Sequence, residues 1–122
     1  MLEAVLKNYR GGIIRSFPRA FVSIVAAATT ATLYQLSTGS KRAILISVMI
    51  TRRSGGNTFL QIGEGDFTAR LPDIPVISTQ SETLTIDDGL PIFIFEADIT
   101  MQAVAAAAAP DNIRVLGTVY EF

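Results

Sequence analysis

The catalytic candidates in this 122-residue chain are its carboxylates, and their spacing offers two chemistries. Glu96 and Asp98 stand two apart in the run IFIFEADITM, which reads as a strand, so both would project from one face. A carboxyl pair held that way can divide acid and base roles at a glycosidic bond. Glu64 and Asp66 in one glycine-containing loop, and Asp87 and Asp88 in another, could converge on calcium, which takes several oxygen ligands from flexible loops. Neither loop carries the EF-hand spacing. Acids on a solvated strand face or in a turn need no substrate or metal to account for them, so no catalytic, cofactor-binding or metal-binding residue is assigned.

Composition removes the remaining reactive groups. Cysteine, histidine and tryptophan are all absent. Disulfide scaffolds, Cys/His zinc sites and His-activated nucleophiles are thereby excluded. Gly63-Glu64-Gly65 is acidic and lacks the Lys-Ser/Thr that completes a phosphate loop. Arg52-Arg53 and the basic N-terminal residues are too few, with no interleaved aromatics, for a nucleic-acid surface. No nucleic-acid partner and no small-molecule ligand are expected.

The elements that would position these residues are short and mostly extended. Apolar residues make up 49% of the chain and charged ones 17%, which describes one packed domain rather than a disordered tail. Ala20–Ala28 follows four basic residues and imitates a signal peptide, but the basic region is unusually long for one. Neither this run nor Ala103–Ala109 approaches the roughly 20 apolar residues of a spanning helix, and no membrane partner is expected. Met1–Tyr9 can make two helical turns with Leu2, Val5 and Leu6 on one side and Gly11-Gly12 as a stop. So short a helix is marginal alone. Residues 1–19 are accordingly read as an arm that orders by packing on something else, and residues 20–122 as the single folded domain.

From Ala20 on, β-branched and aromatic residues are punctuated by turn signals. Strands are expected at Phe21–Ala26, Thr30–Ser37, Ala43–Thr51, Thr58–Ile62, Ile74–Ile77, Ser81–Ile86, Ile92–Met101 and Ile113–Phe122. The run AILISVMIT predicts burial on both faces, and the glycine-rich Arg52–Asn57 predicts a hairpin back into Thr58–Ile62. Ala103–Ala109 is read as extended, giving a flat apolar face suited to a neighbouring subunit. Without helix-sized crossovers, antiparallel pairing is required. The fold expected is all-β: an antiparallel β-sandwich, jelly-roll-like, with an extended N-terminal arm.

Charge is divided along the chain. Through Arg53 eight basic residues face Glu3 alone, a net +7, whereas from Ser54 ten acids face Arg70 and Arg114, a net −8. Either strands of the two halves interleave and the charges mix, or a basic segment docks on an acidic surface.

The layout as a whole resembles the small jelly-roll or β-sandwich structural proteins of tailed bacteriophage virions, decoration or cement proteins above all. The basic N-terminal arm, the Ala/Thr-rich opening VAAATTATLYQLS, the glycine hairpin TRRSGGNTFLQIG and the closing strand IRVLGTVYEF carry that resemblance, which is one of layout and transfers no individual residue. It implies a non-enzymatic protein of the capsid surface, made in the host cytoplasm. Such a protein associates with itself as a dimer or trimer and bridges the major capsid protein or another virion protein. The residues expected at the interfaces are Leu2, Val5, Leu6, Arg10, Ile13, Ile14, Arg15, Phe17 and Arg19 in the arm, with Ala105 and Ala107 in the alanine segment. A tail or neck component, a sugar-binding sandwich module and a carboxylate enzyme are the other readings.

Overall fold

The computed structural model describes residues 2–22, 30–36, 42–52, 58–77, 80–103 and 113–122. A short helix, α1 (Leu2–Asn8), is followed by β1 (Ile13–Val22), β2 (Ala31–Tyr34), β3 (Ala43–Arg52), β4 (Thr58–Glu64), β5 (Thr68–Ala69), β6 (Ile74–Val76), β7 (Ser81–Ile86), β8 (Gly89–Leu90), β9 (Ile94–Phe95), β10 (Ile99–Ala103) and β11 (Ile113–Glu121). One sheet runs β1-β11-β3-β7-β8, with β9 also on β3; the other runs β2-β10-β4-β5, with β6 also on β4. Their inner faces make one apolar core that includes Phe17, Leu45, Leu60, Phe95, Met101 and Val119. The all-β sandwich read from the sequence is therefore the fold.

Strand β3 has both faces buried, as its composition predicts. Leu45, Val48 and Ile50 enter the core between the sheets, whereas Ile44 and Ile46 join a second cluster on the other face. The phase changes at a bulge: Thr118 pairs Ser47 but Val119 pairs Leu45, which leaves Ile46 as the extra residue. The second cluster is roofed by α1. Leu2, Val5, Leu6 and Tyr9 recur at helical spacing, and Val5 is buried against the cluster of Ile44, Ile46, Ile86 and Tyr120. Glu3 in the first turn and Lys7 in the last suit the helix dipole, and Gly11 at φ +86° turns the chain out of the helix. The Tyr120 hydroxyl donates to Tyr9 O and accepts from Gly12 N–H, fixing the passage from α1 into β1.

Four expectations are corrected. Residues 1–19 are not an arm lying apart from the body: Ile13–Phe17 pairs with Gly117–Glu121, so the first strand begins well before Phe21. Pro18 is accommodated where the register shifts between Phe17 and Ala20, on an edge strand, both settings in which a missing N–H is tolerated. The strands on either side of Arg52–Asn57 do not form a hairpin. Both edges of β3 are occupied, by β11 on one side and by β7 and β9 on the other, so β4 belongs to the opposite sheet. The run from Ile92 to Met101 is likewise two strands, β9 and β10, one in each sheet, joined by a bend at Glu96-Ala97. Finally, one ladder among the described residues is parallel: Thr85 and Ile86 pair Gly89 and Leu90 across a tight loop in which Thr85 and Asp88 exchange backbone hydrogen bonds, so no crossover is needed. Of the alanine segment, Ala103 ends β10, and Ala105 and Ala107 lie outside the described residues.

Candidate interaction surface

Of the carboxylates singled out for chemistry, Asp98 and Glu64 bind backbone amides. Because Glu96 and Asp98 flank the corner between two sheets, they do not share a strand face. Asp98 Oδ1 accepts from Leu36 N–H at 2.9 Å, and Asp98 O accepts from Gly65 N–H at 2.9 Å. Glu64 receives the Glu96 N–H at 2.9 Å and pairs Arg70 at 2.8 Å. The two acidic loops belong to different sheets, Glu64 and Asp66 beside β5 and Asp87 and Asp88 before β8. Among the described residues no three acids gather in a group able to hold a metal.

The two ends of the sandwich differ in how they close. At the β1/β2 end the Glu121 carboxylate, its side chain 2% exposed, accepts from the Tyr34 hydroxyl of the opposite sheet at 2.5 Å and pairs Arg15 of β1 at 3.3 Å. A buried charge is tolerated only when donors surround it. This group ties both sheets and the edge strand together. Tyr34→Phe should therefore lower stability by about 1–3 kcal/mol, through the donor lost from a buried carboxylate, and urea unfolding with an unchanged m-value would show it.

At the other end the sheets stay apart. Between β6 and the β7–β8 edge lie two adjoining hollows of about 290 and 230 Å³ that share Pro75 and Glu82. The first mixes Ile50, Val76 and Ile77 with Gln80, Ser81 and Glu82, whereas the second is mainly apolar, with Leu71, Leu84 and Leu90 in its wall. Ile77 and Ile92 stand exposed nearby. The segments that form this end, 71–77 and 80–92, contain Asp73, Glu82, Asp87 and Asp88 and no Lys or Arg.

The interface residues expected from the sequence divide into two sets. Val5 and Phe17 are buried within the chain itself, Leu6 packs on the cluster beneath α1, and Arg15 pairs Glu121. Leu2, Ile13 and Ile14 face outward, the last two 56% and 49% exposed, and Arg10 is exposed in the turn before β1. The side chain of Arg19 and the whole of Ala105 and Ala107 fall outside the described residues. Sequence reasoning missed the groove and its exposed Ile77. Prolines at 72, 75 and 91 beside apolar residues were the available signal, but only the fold brings the two segments together.

Compared with known proteins, the chain matches no family model, no curated protein and no solved structure.

Proposed function

We propose that the chain is a non-enzymatic structural subunit of a bacteriophage particle, a decoration or cement-type protein that associates with itself and bridges the major capsid protein on the capsid surface. The observation that carries the self-association is β1, an edge strand that exposes Ile13 and Ile14 next to Arg10 and Arg15. Exposed, apolar edge strands invite pairing with another chain, and folds that keep one generally use it. The virion setting rests on the resemblance in layout. Inward use of the tyrosines argues against a sugar-binding platform: Tyr120 is buried, Tyr9 packs on Phe122 at 5.1 Å between ring centroids, and Tyr34 bonds Glu121. Of the acids an enzyme would draw on, Asp98 accepts from the Leu36 amide and Glu64 from the Glu96 amide while pairing Arg70.

Gold-labelled antibody on purified particles tests this reading. Label over the capsid shell is the expected result, label confined to the tail or neck would move the protein to that assembly, and unlabelled particles would end the virion reading.

A further inference from the structure

The six-stranded sheet has two free edges of opposite character. Among the described residues, no strand lies on the side of β1 away from β11, and none lies beside Ser81–Leu84 on the side of β7 away from β3, since β8 pairs only Thr85 and Ile86. Each edge is a row of backbone donors and acceptors open to another strand. The first comes from a segment, residues 2–19, with Lys7, Arg10, Arg15 and Arg19 against Glu3; the second borders the groove whose segments carry four acids and no base. Exposed apolar side chains mark both, Ile13 and Ile14 at one and Ile77 and Ile92 at the other.

We propose that a second copy of this chain occupies the groove, its β1 edge adding to β7 beside Ser81–Leu84. This inference rests on the self-association reading above and specifies its geometry. Joining like edges would set Arg10 against its own copy at β1, or Glu82 and Asp88 against theirs at the groove, and like charges across an interface oppose association. Joining unlike edges places basic against acidic residues. The six-stranded sheet then continues from one copy into the next through backbone hydrogen bonds, and alternate β1 side chains are directed into the hollows between the sheets. Such a contact is heterologous: every copy offers one edge and one groove, so assembly proceeds to a closed ring or an open chain, according to the rotation between neighbours.

Two point variants of the full chain separate this contact from its rivals, both at exposed positions where the fold does not depend on the side chain. Ile13→Asp, on the face of β1 that meets the hollows, blocks the β1 edge, and Ile77→Asp blocks the groove and adds a like charge to it. Sedimentation velocity is run on the wild type, on each variant and on their equimolar mixture. Each variant alone should lose self-association by at least about tenfold in apparent Kd, as expected for a central apolar residue of an interface. The mixture should form a heterodimer and stop there, because one intact edge and one intact groove remain. That rescue also shows that both variants are folded. Self-association of Ile77→Asp at wild-type strength would overturn the groove while leaving self-association through β1 standing. A wild type that stays monomeric at high micromolar concentration would overturn both.

Discussion

A chain lacking residues 2–19 should not fold cooperatively. The deletion removes Val5, Leu6 and Tyr9 from above Ile44, Ile46, Ile86 and Tyr120, and Phe17 from the main core, together with the strand that covers β11. Fully burying one such side chain is worth about 1.5–3 kcal/mol, so the loss is roughly 5–10 kcal/mol once the bared partners are included. A domain of this size has only about 5–15 kcal/mol of stability in total. Thermal unfolding followed by circular dichroism should lose its sigmoidal transition, with dye binding to exposed apolar surface already present at low temperature. If residues 1–19 were a detachable arm, the truncated chain would instead melt within a few degrees of the intact one. Truncation is thus a poor test of assembly for this protein, and point changes on the outward-facing residues are needed.

The second large effect is expected at Gly117, which sits in β11 between Phe17 of β1 and Val48 of β3. A Cβ added there would stand 2.1 Å from the Ser47 backbone oxygen and 2.6 Å from Phe17 Cζ. The ring of Phe17 lies across the space that glycine leaves empty, and the carbonyl, being part of the β3 ladder, cannot swing away. Overpacking of this kind usually costs 1–3 kcal/mol and more when backbone must move, so Gly117→Ala should lose about 2–4 kcal/mol. A shift of the urea midpoint with little change in slope would report it. An unmoved midpoint would mean that β11 is not packed between β1 and β3 at Gly117.

Both effects fall on a segment whose role the sequence conceals. Strand β3 was readable because nine residues from Ala43 to Thr51 are nearly all apolar, and burial on both faces is what such a run requires. The terminal strand and Ser81–Ile86 were readable from strong β propensity, and α1 from the spacing of Leu2, Val5 and Leu6. Pairing was not readable. Ile13–Phe17 is flanked by Gly11-Gly12 and Pro18, which locally argue for a loop, and its partner lies about a hundred residues further on. Tertiary pairing overrode the local signal. The same holds for Glu96 and Asp98. Their alternation is that of a continuous strand, but the chain bends between β9 and β10 to change sheets, and the supposed carboxylate pair becomes a corner at which Asp98 accepts from the Leu36 amide and Glu96 donates its own N–H to Glu64. The division of charge along the chain has a mixed outcome. Strands of the basic and acidic halves interleave within one sheet, since β1 and β3 are neighbours of β11 and β7, and the sheet nevertheless ends in a basic edge on one side and an acidic one on the other.

Amide hydrogen exchange on the full chain, diluted until it is monomeric, bears most directly on whether β1 belongs to the body it helps to assemble. The Ile13–Phe17 amides that bond β11 should exchange orders of magnitude more slowly than a free peptide, within the range spanned by β3 and β11. Exchange at the free-peptide rate through Ile13–Phe17, with β3 still protected, would contradict it.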